Sequence, residues 1–188
     1  MGAQPVFYYE LGCPVCYLVA ERIMAELPVV PEWEPVLWDP VLDPDCALIE
    51  GAAAALGLQP VRWPVPWPPR VHTAMLAATY AKRVGRAVAF SLAAFRQAFA
   101  GGRDLGDADT ILIAAAACEM HPTAVLKGIG LRSVADALAQ ASAGARKAGV
   151  RALPAITVGE RVFAGERAIE EASEALSVMS ANGMRAAG

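Results

Sequence analysis

Two cysteines three residues apart, Cys13 and Cys16 in "GCPVCYLVAER", carry the strongest chemical signal in the chain. A pair at this spacing has three readings. It can be a redox couple, half of a tetrahedral metal site, or two small apolar residues in a core. If Pro14 opens a helix, Cys13 falls at its N-cap or first position and Cys16 one turn later, on the same face. The first turn offers unpaired backbone N–H groups and the positive end of the helix dipole, which favour a thiolate at Cys13. Cys16, deeper in the helix, is then expected to stay a thiol until a mixed disulfide forms and has to be resolved.

The metal reading needs two more ligands, and "CEMH" supplies candidates in Cys118 and His121. A Cys₃His set is a common structural zinc site. Against it, Cys118 ends an apolar run where a buried cysteine is ordinary, and a hundred residues separate the halves. His121 precedes Pro122 at a helix break and reads as a cap or surface residue. Cys46 and Cys118 read as structural. Trp33, Trp38, Trp63 and Trp67 read as core and loop packing, although Trp63 and Trp67 can also roof an apolar groove.

The elements that must position the pair follow from periodicity and punctuation. "PVFYYE" reads as a strand ending at Gly12, and Pro14 to Leu27 as an amphipathic helix stopped by "LPVVP". "EWEPVLW" (32–38) reads as a second strand, with Pro35 favouring a sheet edge. A short helix spans about Asp45 to Leu56, capped by Asp43 or Asp45 and closed by Gly57. The proline- and tryptophan-rich "QPVRWPVPWPPR" reads as an ordered loop on the body of the protein. Residues 71–149 read as wholly helical: 71–84, 87–100, 107–119, a short turn near 122–127, and 133–148. Asp107 and Ser133 are the N-cap candidates there. "PAITVGERVFAG" is a hairpin signal around Gly159-Glu160, and "ERAIEEASEALSVM" a final helix. The order is β-α-β, a helical block, then β-β-α: one α/β domain with a helical cap.

The 188 residues suffice to bury roughly 70% of the unfolded surface, so the fold needs no disulfide or metal staple. The longest apolar run, "ILIAAAAC" (111–118), is far short of the roughly 20 residues of a bilayer span. With a net charge of −3, nothing points to a nucleic-acid or anionic-membrane partner. The opening "MGAQPVFYYE" has no basic n-region or long apolar h-region, and a cytoplasmic location is the expectation. In a reducing compartment a close cysteine pair is catalytic or metal-binding rather than a structural disulfide.

Four segments resemble a known family: "FYYELGCPVCYLVAERI", "PEWEPVLW", "FRQAFAGGRDLGDADTILIAAA" and "GVRALPAITVGERVFAGERAIEEA". They are similar to DsbA-like thioredoxin folds, nearest the branch of 2-hydroxychromene-2-carboxylate isomerases and kappa-class glutathione transferases. The resemblance covers nearly the whole chain. It implies an α/β thioredoxin-like fold (β-α-β … β-β-α) with an all-helical insertion. Residues 1–60 would form the first half, 61–149 the proline-rich loop and insertion, and 150–188 the second half. It also implies a cis bond at Leu153-Pro154, with the Leu153 backbone beside the reactive sulfur and free to pair with a peptide or glutathione. Pro14, Leu153 and Pro154 would then form the substrate edge. Leu153 replaces the Val or Thr usual before that proline. Arg70 or His72 falls where this family often places a polar residue lining the site.

The isomerase and transferase branch normally carries serine at the position of Cys13 and no cysteine at Cys16. Two thiols shift the expectation to a thiol–disulfide oxidoreductase, with Cys13 the nucleophile and Cys16 the resolving thiol. The expected partners are protein or small-molecule thiols and disulfides, acting on a monomer or homodimer. No metal or other cofactor is required, and glutathione is admitted as a cosubstrate. A glutathione-dependent isomerase or transferase, and a zinc-stabilised binding module, are the alternatives.

Overall fold

The computed structural model describes residues 4–186, with side chains through Ser180. Four short strands form one mixed sheet: β1 (Val6–Tyr9), β2 (Glu32–Pro35), β3 (Ala155–Val158) and β4 (Arg161–Ala164), in the order β2-β1-β3-β4. β1 runs parallel to β2 and antiparallel to β3, and β4 closes the hairpin with β3. The parallel pair needs a crossover, and α1 (Pro14–Glu26) supplies it. The hairpin turns at Gly159, whose φ of +61° is the left-handed conformation that glycine adopts freely.

β2 ends at Pro35, earlier than the run to Trp38 suggests, and it does lie at a sheet edge. Beyond it the backbone is satisfied elsewhere. Val36 N–H still reaches the Tyr9 carbonyl, but Leu37 N–H donates to Ser142 Oγ and Trp38 N–H to the Glu10 carboxylate. Side chains have replaced the ladder, so the strand stops although its apolar pattern continues.

α2 (Cys46–Ala55) follows, capped by Asp45, which accepts the Leu48 N–H. Between β2 and β3 lie five more helices: α3 (His72–Arg83), α4 (Ala87–Phe99), α5 (Ala108–Ala116), α6 (Pro122–Ile129) and α7 (Arg132–Lys147). α8 (Ala168–Ala186) ends the described chain. The segment read as a turn near 122–127 is the two-turn helix α6. It packs so closely on α3 that a Cβ at Gly128 would stand 2.5 Å from the Tyr80 ring. Asp107 caps α5 as expected from its type, but Ser133 does not cap α7. The helix begins one residue earlier, after Leu131, and Ser133 Oγ accepts from Arg83.

The core sits between the sheet and α1, α3 and α4. Phe7 and Tyr9 alternate onto this face of β1 and meet Trp33 of β2 at 5.0 and 5.5 Å between ring centres. Tyr17 of α1 stacks on Phe99 of α4 at 5.4 Å. α3 approaches through a fully buried row of Ala74, Ala77, Ala78 and Ala81, small enough for close helix contact. The proline-rich loop lies on this body. Arg62 N–H donates to the Phe99 carbonyl, Trp63 meets Phe99 edge-on, and Trp67 N–H donates to the Leu42 carbonyl.

Candidate active site

Cys13 is the N-cap of α1, with extended backbone at φ −89° and ψ 113°. Its Sγ accepts the backbone N–H of Cys16 at 3.2 Å, one of the orphan donors of the first turn. Pro14 follows at the first helical position, where its missing N–H costs nothing. The Cys13 N–H itself is taken by the Glu10 carbonyl at 3.1 Å. All four cysteines are free thiols, and Cys16 is wholly buried. Burial pushes the Cys16 thiol well up, and the hydrogen bond and charge of Cys13 push it the same way. The two sulfurs are thus unequal: Cys13 accepts a backbone N–H beside the groove, and Cys16 is kept protonated by burial.

The segment entering β3 forms the other wall. The Leu153–Pro154 bond is cis, and the Leu153 carbonyl oxygen lies 3.9 Å from Cys13 Sγ. Between them opens a groove of about 290 Å³, lined by Glu10, Cys13, Trp38, Asp39, Arg151 and Leu153.

Glu10 and Trp38 also line this groove; Glu10 carries no motif of its own, and Trp38 reads from the sequence as packing. Glu10 follows β1 directly and is only 5% exposed. Burial raises its carboxyl from 4.5 to about 7, opposed by the Trp38 N–H at 3.1 Å and reinforced by the charge of Asp39. An acid between the apolar "VFYY" and the cysteine motif was the available signal in "VFYYELGC". Trp38 is not simple packing. Its ring carries the Arg146 guanidinium at 4.2 Å on one side, and its indole lines the groove beside Cys13.

The other candidates lie elsewhere or at the margin. Arg70 is mostly exposed and pairs loosely with Asp104 at 3.6 Å, whereas His72 opens α3 and lines a second cavity that also touches Glu10. Cys46 is exposed at the start of α2. Cys118 is buried and donates its thiol to the Ala114 carbonyl at 2.9 Å, while His121 caps α6 by accepting the Thr123 N–H. Among the described residues no three His, Cys, Asp or Glu side chains converge on a metal position, so the Cys₃His set is not assembled.

Three comparisons bear on this arrangement. A model of the DSBA-like thioredoxin domain matches residues 6–177, which spans both walls of the groove. No curated protein sequence matches the chain. Among solved structures, a 2-hydroxychromene-2-carboxylate isomerase superposes with a TM-score of 0.81 at 12% identity, covering 97% of this chain and 98% of its own. A probable DsbA oxidoreductase from Streptomyces coelicolor gives 0.77 at 18% identity, covering 93% and 88%. The oxidoreductase DsbA from Xylella fastidiosa gives 0.65 at 16% identity, covering 96% and 87%. At these identities the structures speak for the fold alone. The family match over most of the sequence goes further: strand, cysteine-capped helix, helical insertion and hairpin make this chain a member of the DsbA-like thioredoxin family.

Proposed function

We propose that the protein is an enzyme of dithiol–disulfide exchange, with Cys13 as nucleophile and Cys16 as resolving thiol. The observation that carries this reading is the hydrogen bond from the Cys16 N–H to Cys13 Sγ at a helix N-terminus, beside an open groove. In the reducing direction, the Cys13 thiolate attacks one sulfur of a substrate disulfide and that S–S bond breaks. The first substrate thiolate leaves, and a mixed disulfide with Cys13 remains. Cys16 then gives up its proton and attacks Cys13 Sγ, which expels the second substrate thiolate and closes the Cys13–Cys16 disulfide. Run backwards, the same steps oxidise a dithiol substrate.

The step that needs help is deprotonation of Cys16, because burial favours its neutral form. The Glu10 carboxyl, held at about 7, is matched to receive a proton near neutrality. Leu153 and Pro154 offer the substrate edge, with the Leu153 backbone facing Cys13. Pro14, buried in the first turn of α1 and outside the groove lining, adds no charge beside Cys13. The exchange balances without a metal or other cofactor, and glutathione fits the scheme as a thiol cosubstrate. A cytoplasmic dithiol enzyme, reduced between turnovers by such a thiol, is the setting we propose.

The near end-to-end superposition on the isomerase supports a second reading, in which Cys13 activates bound glutathione for isomerisation or transfer. Mass spectrometry separates the two. With a model disulfide peptide, Cys16→Ser should accumulate a mixed disulfide on Cys13, and Cys13→Ser should form none. Equal trapping by both variants would overturn the role assignment, and non-covalently retained glutathione with no trapping would favour the second reading.

A further inference from the structure

A second cavity, of about 200 Å³, shares Glu10 and Trp38 with the cysteine groove in its lining. Its walls are Leu37, Pro40, Pro68, Pro69 and Val71, and His72 stands among its lining residues. We propose that this cavity is a subsite for the ring of a small thiol or disulfide substrate, whose sulfur reacts at Cys13 and whose ring N–H or O–H is donated to Glu10. The inference rests on the exchange reading above and adds the substrate class to it.

Size, stiffness and polarity carry the assignment. A cavity of about 150 Å³ already accommodates benzene, so the space suits one substituted ring. Three of the five walls are prolines, which have no side-chain freedom to lose when a ligand binds. The floor is backbone: a Cβ at Gly12 would stand 2.9 Å from Val71 Cγ1 and 3.3 Å from Pro69 Cγ. Glycine there lets Pro69 and Val71 sit directly on the backbone beside the Glu10 carboxyl. Trp38 N–H occupies Oε1, and among the described residues no donor is bonded to Oε2. Apolar walls with one convergent acceptor are the usual make-up of a small-molecule site. The two cavities share Glu10 and Trp38 in their linings, so a ring held in the second is placed next to the groove that reaches Cys13.

The test uses three disulfides with the reduced protein: bis(4-aminophenyl), diphenyl and bis(2-hydroxyethyl) disulfide. Each rate is divided by that of the same disulfide with free glutathione, which removes leaving-group differences. The aminophenyl compound should then exceed the aliphatic one by at least about tenfold, in the range that pocket contacts supply. Pro40→Trp, an exposed substitution at the rim, and Val71→Phe should each collapse that ratio, and Glu10→Gln should erase the preference for aminophenyl over phenyl. Binding of 4-(methylthio)aniline, which cannot exchange, reads the subsite independently of the chemistry and should be lost in Pro40→Trp. Equal normalised rates, a ratio indifferent to Pro40→Trp, or no binding of the methylthio compound would overturn the subsite. Binding of that compound together with unreactive cysteines would instead uphold the subsite and overturn the exchange reading.

Discussion

The chain contains the same three-residue spacing twice, as Cys13–Cys16 and as Cys118–His121, and folds the two to opposite ends of helices. Cys13 stands before α1 and its sulfur accepts an N–H at 3.2 Å, with the Leu153 carbonyl only a distant partner of its thiol at 3.9 Å; Cys118 stands after α5 and its sulfur donates to a carbonyl at 2.9 Å. Their exposures are nearly equal, 4% and 6%, so surface exposure alone does not distinguish them. Polarity of the helix end does. N-terminal ends present donors that favour a thiolate, and C-terminal ends present acceptors that retain a thiol. Burial raises Cys118 further, only partly offset by Arg86. The spacing brings two sulfur-bearing residues together at one site. At the other, Glu119 turns the chain at φ +60° and His121 becomes the cap of the next helix.

The largest expected consequence is a difference in thiol reactivity. At neutral pH, Cys13, whose sulfur accepts an N–H and lines the open groove, should alkylate with iodoacetamide at least about tenfold faster than Cys118, whose thiol is engaged by the Ala114 carbonyl and pushed up by burial. Peptide-resolved mass spectrometry over a time course measures both in one sample. Comparable rates would show that helix polarity is not what separates the two cysteines.

A second difference is that the Cys13–Cys16 pair has a buried acid beside it, and that acid carries a cost. Glu10 holds its proton up to about 7 in the fold, against 4.5 for an ordinary carboxyl. In the unfolded chain it ionises at the lower value, so across that window the folded state binds more protons. Stability therefore falls as pH rises between the two, and the full cost persists above the upper one. At 1.36 kcal/mol per unit, that cost approaches about 3 kcal/mol. Glu10→Gln keeps the acceptor for Trp38 N–H and removes the charge. It should be more stable than the parent by up to about 3 kcal/mol near pH 8, with the gain vanishing below about pH 4.5. Urea unfolding at the two pH values measures it. A gain that does not depend on pH would mean that the carboxylate is not the source.

What was legible in the sequence is local. Pro14 after Cys13, Asp45 and Asp107 before apolar runs, and Gly159 between two strand patterns each signal a backbone event at their own position, and each event occurs there. The assignments that failed depend on a distant partner. Ser133 has the right chemistry for a cap, but Arg83 of α3 occupies its hydroxyl. Residues 36–38 carry a strand pattern, yet their N–H groups go partly to Ser142 and Glu10, 105 and 28 residues away. The same pairing brings Trp38 to the cysteine groove and buries Glu10. Both residues read as unremarkable in one dimension because their role comes from meeting each other in three. The thiols were legible because the helix end that orients them is encoded next door.

The smallest expected effect concerns the residue that makes the second motif look like a metal half-site. His121 Nδ1 accepts the Thr123 N–H at 3.2 Å, which satisfies one orphan donor at the start of α6. Losing a side-chain N-cap costs about 1 kcal/mol, and α6 is short enough to register it. His121→Ala should therefore destabilise by about 1 kcal/mol, while His121→Asn, which can accept the same N–H, should recover most of the loss. Exchange at Cys13 should be the same in all three proteins, because α6 packs on α3 and α5 rather than on the groove. Denaturant midpoints and disulfide-exchange rates on one set of samples decide it. If His121→Ala slows exchange while His121→Asn does not restore it, the histidine has a role at the thiol site, and the division between the two motifs fails.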